Sequence, residues 1–116
     1  MAIDKKFIDQ FIDVTSKAAL ASSYLVGKKD KIAADKAAVD SMRFDLNNLD
    51  MQGEIVIGEG ELDEAPMLYI GEKLGTKNGP EFDIAVDPLE GTNFAAYNLP
   101  GALSVIAIGG KNNLFK

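Results

Sequence analysis

The spacing of apolar residues changes once along the chain, near residue 50, and this change limits the folds that the sequence can adopt. Before that point apolar side chains recur every three or four residues, as they do on one face of an α-helix. The pattern predicts a first helix over residues 4–26, with Asp4 as its cap and Gly27 as its stop, and a second helix from about Asp30 to residues 47–49. Beyond it, short runs rich in β-branched residues predict strands. The order of elements predicts an α/β protein.

Three short strands are predicted in the second part of the chain, each bounded by Gly or Pro. The second of them is expected to end at Pro88, because proline lacks the backbone N–H that a sheet requires. A further run, residues 67–74, fits a strand or a helix equally well. The predicted strands are residues 54–58, 82–87 and 103–108.

The last residues of the sequence predict one more strand. Asn112 and Asn113 are expected to turn the chain into Leu114 and Phe115, where the sequence stops without a helix or a polar tail to cover that strand. We therefore expect residues 1–116 to form the amino-terminal, metal-binding part of a longer domain, apparently truncated.

Composition excludes several kinds of chemistry and several partners. The sequence contains no cysteine and no histidine, so cysteine nucleophiles, zinc-thiolate sites and imidazole bases are absent from these residues. The net charge of -6 without a basic cluster argues against nucleic acid as a partner. No apolar stretch approaches the roughly 20 residues of a membrane span, and the first ten residues lack the uninterrupted apolar core expected of a signal peptide. A cytoplasmic protein is expected.

Acidic residues gather directly after two of the predicted strands, in segments 58–64 and 87–93. Ligand sites commonly lie at the ends of strands in sheets covered by helices. If these two strand ends lie side by side, Glu59, Asp87 and Glu90 meet, and a hard divalent ion such as Mg²⁺ or Mn²⁺ would offset their repulsion. The simpler alternative is that both acidic loops are only solvated.

The second acidic segment carries a specific resemblance. Residues 87–92 read Asp-Pro-Leu-Glu-Gly-Thr, which resembles the signature of the lithium-sensitive, metal-dependent phosphatase superfamily of fructose-1,6-bisphosphatases and inositol monophosphatases. Residues 57–72 and 30–43 resemble the class II, bacterial type of fructose-1,6-bisphosphatase. The resemblance runs from about Thr15 to the last residue and implies the first portion of a layered α-β-α-β-α sandwich. At residues 27–31 the chain has Gly-Lys-Lys-Asp-Lys, where many relatives have Gly-Arg-Gly-Asp-Lys.

The resemblance also implies a set of metal ligands for Mn²⁺ or Mg²⁺. Four are carboxylates and one is a backbone carbonyl. They are Asp35, Glu59, Asp87, Glu90 and the carbonyl of Leu89.

A catalytic pair and a phosphate site are implied in the same way. Asp63 and Thr92 match a carboxylate and a hydroxyl that orient and partly deprotonate a metal-coordinated water. The substrate phosphate would lie at a helix amino terminus, where backbone N–H groups bind anions. The residues implied in substrate binding are Glu90, Gly91, Thr92 and Asn93.

Each of these residues also has a simpler explanation. Asp35 can be a charge on a helix surface, Asp63 a turn residue, and Thr92 a helix cap. Met67 and Tyr69 are better explained as core residues than as functional ones, because an aromatic side chain in an apolar run is usually packed.

The resemblance implies hydrolysis of fructose 1,6-bisphosphate to fructose 6-phosphate and phosphate, in gluconeogenesis or a related sugar-phosphate pathway. An alternative within the enzymes is hydrolysis of sedoheptulose 1,7-bisphosphate, alone or with the fructose ester. A third hypothesis is a non-catalytic metal-binding or assembly module that associates with a partner chain or with copies of itself, and we expect a homo-oligomer. Family enzymes continue far beyond residue 116 and there supply a further glutamate ligand and the sugar-binding groups, so we expect the chain alone to have weak activity or none.

Overall fold

The computed structural model describes residues 3–61, 65 and 67–114. These residues form three helices and a four-stranded sheet. In chain order the elements are α1 (Lys5–Ser23), α2 (Lys31–Asn47), β1 (Gln52–Ile57), β2 (Lys73–Leu74), β3 (Glu81–Glu90), α3 (Thr92–Ala96) and β4 (Leu103–Gly110). The predicted α/β class is confirmed.

Both predicted long helices are present, and each begins at an aspartate cap. The Asp4 carboxylate accepts a hydrogen bond from the Lys6 N–H at 3.0 Å, and the Asp30 carboxylate accepts one from the Ala33 N–H at 3.0 Å. Such caps satisfy N–H groups that have no partner within the helix. The first helix ends at Ser23, three residues before the predicted end, and its chain then turns through Gly27 at a left-handed φ of 77°.

The strands are hydrogen-bonded in the order β2-β1-β3-β4. β1 and β3 are parallel, whereas β2 and β4 run antiparallel to their neighbours. Ile84 in β3 is the register partner of Ile55 in β1 and of Ile108 in β4. The parallel pair is important for function because it places the ends of two strands, and the loops that follow them, at one edge of the sheet.

One face of the sheet packs against α1 and α2. Phe82 of β3 meets the rings of Phe7 and Phe11 of α1 edge-on, with centroids 5.1 Å and 5.9 Å apart. On α2 the alanines at 34 and 38 are fully buried, and such small side chains allow the helix to approach the sheet closely. This single core fixes α2, and with it Asp35, over the strands.

All three predicted strands differ from the observed ones in at least one of their bounds. β3 does not stop at Pro88 but continues to Glu90, because a register shift between Asp87 and Glu90 leaves the proline in a bulge of the pairing with β4. A bulge residue does not need to donate to the ladder, which is why proline is tolerated there. β1 lies two residues earlier than predicted at its start, and β4 extends two residues further than predicted.

Residues 67–74, which fit a strand or a helix equally well, and the strand expected after β4 are both largely irregular in the described residues. Of residues 67–74 only Lys73–Leu74 forms a strand, and the rest makes turns. The chain does turn after β4, where the Asn113 N–H donates to the Gly110 carbonyl at 3.0 Å. No strand follows in residues 111–114, and Phe115 lies outside the described residues.

The described part of the chain accounts for one sheet and one layer of helices. Among these residues no helix is both long and apolar enough to cross a membrane. The further layers of the α-β-α-β-α sandwich stay a prediction from the resemblance.

Candidate metal centre

Three of the predicted ligands come from three different elements. Asp35 lies in the first part of α2, Asp87 lies in β3, and Glu59 lies two residues beyond the end of β1. Because Ile57 is the register partner of Ala85, the residues two positions further along each strand, Glu59 and Asp87, are brought to the same edge of the sheet. The packing of α2 against β3 brings Asp35 to them.

Electrostatics shows that these three carboxylates act on one another. Burial, reinforced by the charges of Asp35 and Asp87, raises the pKa of Glu59 to about 7. Burial and the charge of Asp87 also raise the pKa of Asp35 above its ordinary value. Both effects disfavour the charged form, as expected when like charges gather in a partly desolvated place. A cation would reverse both effects.

The carboxylates are close enough to repel one another but are not closed around a single point. As placed, no three acidic side chains in residues 3–61, 65 and 67–114 have the spacing of a metal site. A donor set made only of carboxylate oxygens suits Mg²⁺, Mn²⁺ or Ca²⁺ rather than softer ions. The residues therefore fit a hard divalent ion in kind, and the pairing of β1 with β3 brings Glu59 and Asp87 to one edge of the sheet.

A cavity of about 380 Å³ opens beside two of the carboxylates. Asp35 and Glu59 line it together with Lys36 and Asp40, whose ammonium and carboxylate groups pair at 2.6 Å. Its remaining walls are apolar. They are formed by Ile32, Val39, Ala65 and Met67.

The turn that carries Glu59 is folded back on itself. The Glu59 N–H donates to the Leu68 carbonyl at 2.9 Å, and the Ile70 N–H donates to the Gly60 carbonyl at 2.9 Å. A Cβ atom on Gly58 would lie only 2.2 Å from the Leu68 carbonyl oxygen, so this close approach requires glycine.

Sequence reasoning missed the group that supports this turn. Glu72 is buried, and its carboxylate accepts hydrogen bonds from the guanidinium of Arg43 on α2 and from the Leu68 N–H. The signal available was that Arg43 is the sole arginine in the sequence and that Glu72 follows an apolar run. Neither signal indicates which residue pairs with which.

The chain matches the family of bacterial fructose-1,6-bisphosphatases encoded by glpX over residues 5–116. It belongs to this family. The resemblance inferred from the sequence is confirmed.

Several relatives share about half of their matched residues with this chain. Over 113 residues, which are 97% of this chain, 52% are identical to a D-fructose 1,6-bisphosphatase class 2/sedoheptulose 1,7-bisphosphatase of Synechococcus sp. (strain CC9902). A protein of the same name from Prochlorococcus marinus (strain MIT 9303) is 50% identical over 97% of the chain, and one from Thermosynechococcus vestitus is 52% identical over 91%. The match covers 34% of each relative, so the chain spans about a third of their length.

The other predicted site residues of this bisphosphatase chain lie further along. Glu90 is exposed at the end of β3, next to the buried Leu89, three positions past Asp87. Thr92 and Asn93 begin α3, which has only five residues and has Gly91 as its cap at a left-handed φ of 80°. Asp63 lies outside the described residues, so its pairing with Thr92 stays a prediction.

Proposed function

We propose that this chain supplies metal-binding carboxylates of a fructose-1,6-bisphosphatase that requires a divalent ion and releases fructose 6-phosphate and phosphate. The observation that carries the proposal is the mutual repulsion of Asp35, Glu59 and Asp87 in a chain that belongs to the bisphosphatase family. Burial and the neighbouring charges raise the pKa of Glu59 and of Asp35, and such an arrangement is unfavourable unless a cation binds the carboxylates.

Mn²⁺ or Mg²⁺ is the proposed ion, and Glu90 and the Leu89 carbonyl are proposed as its further ligands. Both lie at the end of β3, the strand that carries Asp87. When bound, such an ion offsets the charge of a phosphate ester and lowers the pKa of a coordinated water. The carboxylates hold the ion in place and, by its charge, remain ionised at neutral pH.

Asp63 and Thr92 are the proposed catalytic pair. A threonine hydroxyl that donates to a carboxylate could accept a proton from the attacking water while its own proton passes to that carboxylate. We propose that the substrate phosphate binds to the metal ion and to backbone N–H groups at the start of α3. These N–H groups belong to Gly91, Thr92 and Asn93. Support for this part comes from the family match and from the position of Thr92 beside β3.

Sedoheptulose 1,7-bisphosphate is the second proposed substrate. The relatives from Synechococcus and Prochlorococcus carry both activities in their names. A cytoplasmic location, a homo-oligomer and the non-catalytic module stay predictions from the sequence.

Phosphate release with Mn²⁺ or Mg²⁺ tests the proposal. The protein as its gene encodes it is assayed on each sugar bisphosphate and compared with two variants, Asp87→Ala and the control Asp9→Ala. The control removes only an exposed ion pair with Lys5 on α1. We expect Asp87→Ala to lower kcat/KM by at least about 100-fold and Asp9→Ala to change it less than twofold, since exposed ion pairs contribute little. Full activity of Asp87→Ala on both substrates would contradict the proposed site.

A further inference from the structure

Glu72 is a buried carboxylate that the proposed chemistry does not use. Only 4% of it is exposed. The guanidinium of Arg43 approaches both of its oxygens, with Nε at 3.3 Å from Oε1 and 3.0 Å from Oε2, and Nη2 at 2.9 Å from Oε2. A planar guanidinium matches the two oxygens of a carboxylate, whereas an ammonium group does not. Arg43 therefore fixes the orientation of the Glu72 carboxylate as well as its position.

The oriented carboxylate holds the peptide group of Leu68. The Leu68 N–H donates to Glu72 Oε1 at 2.8 Å, and the Leu68 carbonyl accepts from the Glu59 N–H at 2.9 Å. Leu68 is fully buried and has a φ of +55°, a backbone conformation that is unfavourable for leucine. Such a conformation persists only where the surrounding contacts hold it, and Glu72 supplies one of those contacts.

These contacts connect α2 to the turn that carries Glu59. α2 already holds Asp35, and Arg43 lies about two helical turns further along the same helix. We propose that Arg43 and Glu72 are positioning residues that hold Glu59 beside Asp35 and Asp87 for metal binding. The inference rests on the proposed function, because it takes Glu59 as a metal ligand.

Only part of the turn depends on this pair. The Ile70 N–H donates to the Gly60 carbonyl at 2.9 Å, a contact that involves neither Arg43 nor Glu72. Loss of the pair should therefore misplace Glu59 without unfolding the turn. Removing residues that orient a metal ligand weakens metal binding by about 10- to 100-fold.

Calorimetric titration with Mn²⁺ separates positioning from general stability. The protein as its gene encodes it is compared with Arg43→Met and with Leu46→Ala, at a temperature below the unfolding midpoint of every variant. Leu46 lies on the same helix, is fully buried and belongs to the core, so its truncation destabilises α2 without removing the Arg43–Glu72 contact. We expect the Kd for Mn²⁺ to rise about 10- to 100-fold in Arg43→Met and less than about threefold in Leu46→Ala.

A conservative variant covers the case in which Arg43→Met does not fold. Arg43→Lys keeps a positive charge beside the buried Glu72 but loses the planar group whose Nε and Nη2 both donate to Oε2. We expect it to fold and to raise the Kd for Mn²⁺ about fivefold or more. An unchanged Kd in Arg43→Lys, or equal losses in Arg43→Met and Leu46→Ala, would overturn the proposal.

Asp87→Ala in the same titration distinguishes this proposal from the proposed function. Loss of Mn²⁺ binding in Asp87→Ala with normal binding in both Arg43 variants would overturn positioning and leave the metal site intact. Normal binding in Asp87→Ala would overturn the metal site, and the positioning proposal with it.

Discussion

At the scale of single residues, the structure places three carboxylates where their charges are unfavourable. Glu59 is the most affected, because partial burial acts together with the charges of Asp35 and Asp87. The stability of the fold does not explain this glutamate, because a neutral side chain at position 59 would make the folded state more stable. The proposed metal site would explain it, because a bound cation makes the same charges favourable.

The raised pKa of Glu59 makes a prediction about the metal-free protein. Its pKa is about 7 in the folded chain, against 4.5 for an unperturbed glutamate, so the folded state holds the proton more tightly. The contribution of Glu59 to the free energy of unfolding should therefore be fully present below about pH 4.5 and should be lost as the pH rises through 7. At pH 8, with a chelator present, we expect Glu59→Gln to be more stable than the unmodified protein by on the order of 1 kcal/mol, a value reduced for partial exposure.

Urea unfolding at pH 8 and at pH 5 measures this difference. We expect the advantage of Glu59→Gln to shrink at the lower pH, because the glutamate is then mostly protonated and also neutral. An advantage of equal size at both values of pH would show that charge is not its cause.

Gly58 supports a second prediction at this scale. A methyl group there would meet the Leu68 carbonyl oxygen at 2.2 Å, so Gly58→Ala must displace the turn that holds Glu59. We expect a loss of about 2–3 kcal/mol in the free energy of unfolding. Gly71→Ala is the matched comparison, because its Cβ would meet nothing within 4 Å and only its φ of +95° opposes the change. A cost of about 1 kcal/mol is expected there, and equal stability of Gly58→Ala and the unmodified protein would contradict the described turn.

At the scale of elements, local signals explain what the sequence predicted well. Helical spacing and the aspartate caps at 4 and 30 depend on residues within one or two turns, so both long helices were predicted near their observed bounds. The ends of the strands depend on pairing with distant residues. Proline lacks an N–H, so the sequence alone predicts that Pro88 ends a strand. The bulge that accommodates it depends on the pairing with β4, which no local pattern shows.

The same distinction applies to the candidate site. The sequence predicts that Glu59, Asp87 and Glu90 meet, because each lies at or after the end of an apolar strand. The parallel pairing of β1 and β3 brings the first two to one edge of the sheet, whereas Glu90 is exposed at the end of β3. Asp35 was assigned only through the family resemblance, since nothing local indicates that α2 crosses that edge of the sheet. Arg43 and Glu72 are 29 positions apart and were not predicted, because a pairing over that distance leaves no local pattern.

The contact between α1 and β3 can be tested with a pair of phenylalanines. Phe82 is 2% exposed and lies against two rings of α1, whereas Phe44 on α2 is 70% exposed. We expect Phe82→Ala to lower the free energy of unfolding by about 3–5 kcal/mol and Phe44→Ala to change it by about 0.5 kcal/mol or less. Chemical denaturation of both variants measures the difference, and similar losses would contradict the described core.

At the scale of the whole molecule, the described chain positions its carboxylates with one core. α1 and α2 pack on the same sheet, and the two strands that end at the site are adjacent and parallel. The relatives are about three times as long as the matched region. We therefore propose that this chain places metal ligands and that the sugar-binding groups lie in regions outside the match.

Direct measurement of Mn²⁺ binding tests the central claim that Asp35, Glu59 and Asp87 form one cation site. Isothermal titration compares the unmodified protein with Asp35→Asn, Glu59→Gln and Asp87→Asn, each nearly isosteric, and with the exposed control Asp9→Asn. We predict that each of the three site variants weakens Mn²⁺ binding by at least about tenfold while Asp9→Asn binds as the unmodified protein does. Binding that is unchanged in all three site variants, or weakened equally in Asp9→Asn, would contradict the claim.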